Sequence, residues 1–546
     1  MRAVCASWPG EMPFERLLFF IWVGDDLLRR SEFQLTWGSF CGTTSAFCGD
    51  GCQNGCEPVT RPSGKGNSAR SKTIGYYESW AYGRDCDSVA PEDIDANLWT
   101  HVNFAFALID PTTFQLAKMN SYDDQLYLRV AELKLQNPAL KVFISVGGWD
   151  AGGKIFSDMA STASNRAAFI NSAVQFCQTY AFDGIDIDWE YPVADDRGGR
   201  AEDFENFVTL MKELKSAAGR LGVTLTLPSS YWYLKGFDIV NLEPNVDWFN
   251  FMSYDIHGTW DGNNPYTQSV VNPHTNLTEI SQGLDLLWRN NIPSNKVVMG
   301  LGFYGRSFTL ADPSCTEPGC PFASGGKPGE CTGTSGVLSN AEIQRIIADK
   351  KLKPVFDKTA GVKYMTWDSD QWVSYDDADT FKVKMDFAND LGLGGTMVWA
   401  LDLDNADSQS AQYLVSGGTM NYTNGFNRQK READNKQGIA GKLAYWTPCM
   451  TEDERRKIGC PGGYHELLVG HGKVYDSDTA MEVEGCHGSL NRILCLNNEA
   501  VGRNCFWNRR SDGVCSIQKP LELTERLIIV YRARFATEVA QKERFS

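Results

Sequence analysis

The chain has 546 residues, 42% of them hydrophobic, enough for a large core with appendages and too many for one minimal domain. Its formal net charge of −16 argues against nucleic acid and anionic membranes as partners and favours a neutral or cationic substrate. No run approaches the roughly 18 apolar residues of a membrane span.

Residues 1–33 show no period and stay unassigned. Within them, residues 17–23 are apolar and follow Arg16, but Asp25 and Asp26 come next instead of a small-residue cleavage site, so no convincing signal peptide is read. Residues 34–57 are rich in Gly and Cys, and 58–72 read as a flexible linker. The 16 cysteines are unevenly spread. Four are Cys41, Cys48, Cys52 and Cys56, three are Cys315, Cys320 and Cys331, and six lie between Cys449 and Cys515. Residues 87–314 hold only Cys177. Cysteine clusters around a cysteine-poor body suggest disulfide-stapled appendages in an oxidising compartment. Zinc is the alternative, but paired Cys-x-x-Cys spacing is missing. Asn276-Leu-Thr and Asn421-Tyr-Thr are glycosylation sequons.

From residue 73 a regular alternation begins. Short β-rich runs are read at 73–77, 101–108, 141–146, 182–188, 223–227, 248–254, 297–303 and 395–401. Helical patterns lie between them, among others at 165–180, 201–221, 279–290 and 379–391. Eight runs that are apolar on both faces, alternating with helices, predict a (β/α)8 TIM barrel. The long gap before the eighth run, with its helical stretch 340–350, is read as a small α+β insertion at 306–368. A second linker is expected at 419–445, followed by a Cys-rich region at 446–546.

The fourth run carries Asp183-Gly-Ile-Asp-Ile-Asp-Trp-Glu190. Side chains two apart on a strand share a face, so Asp186, Asp188 and Glu190 are expected in one row. Like charges crowded on a buried face cost free energy unless they share protons or partners, which points to chemistry. A solvated acidic face would need polar residues where Ile185, Ile187 and Trp189 stand. In such a barrel the reacting groups lie at the C-terminal ends of strands. Tyr76, Phe106, Ser145-Val-Gly-Gly-Trp149, Met252-Ser-Tyr-Asp255 and Trp399 fall there. Barrel filling is the alternative for Trp399 and Phe106, a tight turn for Gly147 and Gly148, and an ordinary surface position for Trp260. His257 has no second His at metal-binding spacing, so neither a metal nor another cofactor is expected.

These motifs resemble glycoside hydrolase family 18, the chitinases, over about residues 73–418. The resemblance implies that Glu190 is the acid on the leaving oxygen, with its pKa raised by Asp188 and Asp186. It implies substrate-assisted, retaining cleavage of β-1,4 N-acetylglucosamine linkages, in which the sugar's own acetamide replaces a protein nucleophile. Asp188 would then orient the acetamide, Tyr254 would bond its oxygen, Asp186 would share a proton with Asp188, and Asp183 would anchor the strand end. Trp399 would form the floor of a subsite lined by Tyr76, Phe106, Met252 and Asp255, with Trp149 and Trp260 stacking neighbouring sugars. The insertion is similar to that of deep-cleft, processive members.

Residues 41–56 resemble the second half of a hevein-like chitin-binding module, with Cys52 and Cys56 able to pair, and 449–515 resemble the Cys-rich tail of fungal killer-toxin-like chitinases. The resulting expectation is a secreted, monomeric chitinase whose partner is chitin or its oligosaccharides. A non-hydrolytic chitin lectin, a toxin's chitin-docking subunit and an endo-N-acetylglucosaminidase are the other readings.

Overall fold

The computed structural model describes residues 59–264 and 267–416 and, outside them, the backbone course of a few short strands. Eight parallel strands close into a barrel: Thr73–Glu78, His101–Ile109, Lys141–Gly147, Gly184–Asp188, Gly222–Pro228, Trp248–Met252, Val297–Gly302 and Gly395–Trp399. Each pairs with its sequence neighbours, and the first pairs with both the second and the eighth, leaving no free barrel edge. All eight expected runs are strands. The corrections are at the ends: the fourth begins at Gly184, the sixth stops at Met252 and the eighth at Trp399.

Helices Ala163–Tyr180, Asp203–Ala218, Leu277–Trp288 and Ala378–Asp390 cover the outside. Their starts follow local chemistry. Thr162 caps the first of these by accepting from the Asn165 amide, and Asp377 caps the last by accepting from Asp379 and Thr380. The strand side chains facing these helices, such as Ile185 and Ile187, are fully buried. At the closed end, the rings of Phe143 and Trp248 stack at 5.6 Å.

Between the seventh and eighth barrel strands lies a second, antiparallel sheet. Its strands run from Tyr304–Leu310 to Gln371–Tyr375, so it is wider than the expected 306–368. It has its own core of Val271, Phe308, Leu310, Phe322, Tyr364 and Trp372. Its helix Asn340–Lys350 starts at a capping box formed by Ser339 and Glu342. Cys315 pairs with Cys320 inside this unit, whereas Cys331 crosses to Cys86 in the loop after the first barrel strand. Beside that bridge Arg345 grips Asp87 with two hydrogen bonds, at 3.1 and 2.6 Å.

Residues 59–72 are not the free linker expected of them. The Gly64 amide donates to the Asp390 carbonyl at 2.7 Å, Arg61 forms a bidentate pair with Asp285, and the Ala69 amide donates to Asn389. The segment is thereby fastened to two barrel helices. Elsewhere, Cys5–Ala6 pairs with Phe40–Cys41. Residues 433–546 form a separate unit, with a three-stranded sheet of Ala444–Trp446, Arg492–Asn497 and Tyr464–Gly470 and a hairpin of Val474–Asp476 and Met481–Val483. Apart from those strand courses, the segment 34–57 expected to be hevein-like, the expected linker 419–445 and the Cys-rich region 446–546 lie outside the described residues. Among the described residues no helix is long and apolar enough to cross a membrane.

Candidate active site

The fourth barrel strand sends Asp186 and Asp188 inward and Ile185 and Ile187 outward, as its period of two requires. Of the expected row of three, Asp186 and Asp188 lie on the strand itself. Glu190 stands past the strand's end, beyond Trp189, which is buried and stacks on Phe156 at 5.5 Å. Asp183 is not at this mouth. It precedes the strand, accepts from the Val142 amide and the Lys134 ammonium, each at 2.9 Å, and so anchors the closed end.

Asp186 is fully buried and takes four hydrogen bonds. Thr224 and Asn250 donate to one oxygen at 2.6 and 3.0 Å, and Tyr76 and Ser145 to the other at 2.7 and 2.8 Å. These fill its acceptor capacity. Burial raises its pKa and the donors pull it back. The hydrogen bonds of Asp186 thus run to four neutral side chains, while its charge acts on Asp188. Tyr76 is corrected: it is 1% exposed and its hydroxyl is spent on Asp186, so it supports the floor instead of lining a subsite.

Asp188 accepts from Thr226 at 2.5 Å. Burial first, then the charge of Glu190 and that of Asp186, push its pKa well above the carboxylate range. Burial also drives Glu190 up to about 7, against the pull of the Tyr191 hydroxyl and the Arg197 cation. The site therefore holds two carboxyl groups in reach of each other's charge, one of them protonated near neutral pH. Tyr254 is nearly buried and feels the Asp188 charge, and its hydroxyl touches the Met397 thioether at 3.8 Å.

Trp399, at the end of the eighth strand, rests on Phe106 with ring centres 5.4 Å apart and 21° between planes. Phe106 is 5% exposed, so it backs the Trp399 ring. Trp80, in the turn after the first strand, completes this stack at 6.3 Å from Trp399. Met252 closes the sixth strand and is buried. Asp255 has φ +55° and holds Arg306 with two bonds, at 2.8 and 2.6 Å, while Tyr304 donates to it at 2.6 Å. Burial would raise the Asp255 pKa, but Arg306 and His274 outweigh it and hold the group far below its usual value. Trp149 and Trp260 remain open to solvent, 51% and 42% exposed. Each has one ring face occupied by a guanidinium, Arg197 at 3.7 Å and Arg306 at 4.8 Å.

Gly147 and Gly148 are required by geometry. Their φ values are +118° and +83°. A Cβ on Gly147 would lie 2.2 Å from the Asp188 carbonyl oxygen, and one on Gly148 would lie 2.6 Å from the Phe106 ring. The Gly148 amide donates to that same Asp188 carbonyl at 3.0 Å, fixing the third strand against the acid strand.

Sequence reasoning missed Thr224, Thr226, Asn250, Trp80, Tyr191, Arg197 and Arg306. For the two threonines a signal existed. Thr224-Leu-Thr226 on the fifth strand alternates in step with Asp186-Ile-Asp188 on the fourth, and Asp186 lies opposite Thr224 in register.

The family described as Glycosyl hydrolases family 18 matches residues 72–404. The chain belongs to this family. Among its relatives, it is 35% identical to "Chitotriosidase-1" of Mus musculus over 61% of this chain and 74% of that one. It is 30% identical to "Secreted chitinase LysM12" of Penicillium expansum over 78% of this chain, yet spans only 29% of that protein's length. A solved structure of Ostrinia furnacalis Group II chitinase catalytic domain 2, a mutant with a bound (NAG)5 ligand, matches at 30% identity and TM-score 0.58, covering 63% of this chain and 94% of that one. The structure titled "Human YKL-39 is a pseudo-chitinase with retained chitooligosaccharide binding properties" matches at 28% identity and TM-score 0.57, covering 64% of this chain and 98% of that one. The matching structures thus include a chitinase catalytic domain and a protein described as a pseudo-chitinase.

Proposed function

We propose that the chain is a chitinase that cleaves β-1,4 N-acetylglucosamine linkages with retention of configuration. The observation that carries this is Asp188 within reach of the Glu190 charge, beside Tyr254 and the half-buried Trp399 ring backed by Phe106, with Glu190 raised to about 7. A sugar lying on Trp399 would place its acetamide toward Asp188 and Tyr254. Glu190 gives its proton to the leaving oxygen as the glycosidic bond breaks. The acetamide oxygen forms a bond to the anomeric carbon, Asp188 accepts from the acetamide N–H and balances the oxazolinium charge, and Tyr254 donates to the acetamide oxygen. Water then attacks the anomeric carbon, giving its proton to the Glu190 carboxylate, and the acetamide is released. Two displacements at one carbon retain configuration.

Asp186 positions rather than reacts: with four neutral donors around it, it fixes the strand that aims Asp188. The two disulfides among the described residues and the secreted relative support an extracellular site of action. A monomer suffices, since every residue of the proposed mechanism comes from one barrel. The test is turnover of chitin oligosaccharides by the wild-type chain and by Glu190→Gln. Turnover by the wild type alone supports the reading, equal turnover overturns the acid, and binding without turnover by the wild type favours the lectin.

A further inference from the structure

An aromatic path leaves the acid on the side away from Trp399. Trp149, after the third strand, contacts Tyr191 edge-on at 6.5 Å. Tyr191 directly follows Glu190 and stacks on Tyr233 at 4.2 Å with 26° between planes. Tyr233 belongs to the one-turn helix Tyr231–Leu234, which follows the fifth strand and so also sits at the barrel mouth. The same turn exposes two large aromatic side chains, Tyr231 at 45% and Trp232 at 65%. Trp232 is the most exposed aromatic side chain among the described residues.

Exposed tryptophan is costly to leave in water, and this one stands on a rigid base. Leu234 and Phe237 bury the turn's underside. Tyr233 donates to Asp196 at 2.8 Å. Gly236 packs so closely on the loop after Glu190 that a Cβ there would lie 2.4 Å from the Pro192 carbonyl oxygen. The Lys235 ammonium lies 4.3 Å from the centre of the Trp232 ring and occupies one face, leaving the other available. Trp149 and Trp260 repeat that arrangement, each with a guanidinium on one face.

We infer that Trp232, with Tyr231, forms an additional sugar-stacking subsite for the leaving-group half of a long N-acetylglucosamine chain, beyond Trp149. The subsite rests on the proposed chitinase reading for its ligand. Its continuity with the acid is built by Tyr191 and Tyr233, which transmit the position of the Glu190 loop to the platform. Short substrates ending at the scissile bond do not reach it, and long chains do.

The experiment compares wild type, Trp232→Ala, Trp232→Phe and Tyr231→Ala in the full chain, with thermal melts confirming equal folding. Two substrates are used: the hexamer of N-acetylglucosamine, and an aryl chitobioside that has no sugar past the scissile bond. The expected result is that the ratio of kcat/KM on the hexamer to that on the aryl chitobioside falls about fivefold or more in Trp232→Ala, the scale of one lost ring contact. Trp232→Phe should retain most of the ratio, and the positions at which the hexamer is cut should shift in Trp232→Ala. An unchanged ratio and cutting pattern overturn the subsite. If wild type cleaves neither substrate, the chitinase reading has failed, and calorimetric hexamer binding decides the subsite separately. Weaker binding by Trp232→Ala then supports it, and equal binding overturns it.

Discussion

One strand carries acids to both ends of the barrel, and the two ends treat them in opposite ways. At the closed end, Asp183 is partly exposed and meets Lys134 and a backbone amide, with Lys141 3.5 Å away. At the mouth, Asp186 is matched by four neutral donors and Asp188 by the Thr226 hydroxyl. The closed end meets charge with charge. At the mouth, burial raises the pKa of Asp186 and Asp188, and the neutral hydroxyl and amide donors pull each back only in part. The Arg197 cation beside Glu190 lowers its pKa but does not outweigh burial, which still holds it at about 7. The difference fits the proposed proton transfer at the mouth and a strand-holding role at the closed end.

Substitutions can break this contrast at either end. The largest effect is expected for Glu190→Gln, which should lower kcat by about 10²–10⁴ while leaving the thermal melt as high as wild type, measured on chitin oligosaccharides. Thr226→Val removes the hydroxyl on Asp188. Its kcat should fall about tenfold, the scale of one hydrogen bond to a charged group. The pH profile gives a smaller but sharper test. Glu190 acts as an acid only when protonated, so kcat/KM should decline as pH rises through about 7. The Arg197 cation lowers the Glu190 pKa, so Arg197→Met should move that decline to higher pH. The smallest effect on catalysis belongs to the closed end: Asp183→Asn should lose about 1 kcal/mol of stability, seen as a melt a few degrees lower, with kcat unchanged.

The barrel could be read from the sequence because its signals are local. Each strand is a short apolar run, and helices such as Asn340–Lys350 and Ala163–Tyr180 start at side chains able to cap them. The acid run was legible for the same reason: four carboxylates among Ile and Trp stand out without any knowledge of their neighbours. What stayed hidden depends on lateral register and on loops. Whether Asp186 faces Asp188 or a ring of hydroxyls is settled by strands 1, 3, 5 and 6, whose polar residues look unremarkable in isolation. The partner of Cys331 lies 245 residues away, at Cys86 in a loop without pattern. The tethering of residues 59–72 was missed because Gly, Ser and Lys composition describes an unfolded segment's preferences and not the carbonyl of Asp390 waiting for its amide.

The central claim is that the nucleophile arrives with the substrate while the protein supplies an acid and an acetamide holder. The most direct measurement compares N-acetylglucosamine hexamer with glucosamine hexamer of equal length, following cleavage and the anomeric form of the first product by NMR. The account predicts cleavage of the acetylated chain alone, with the β anomer formed first. Comparable cleavage of the deacetylated chain, or an α product, would contradict it.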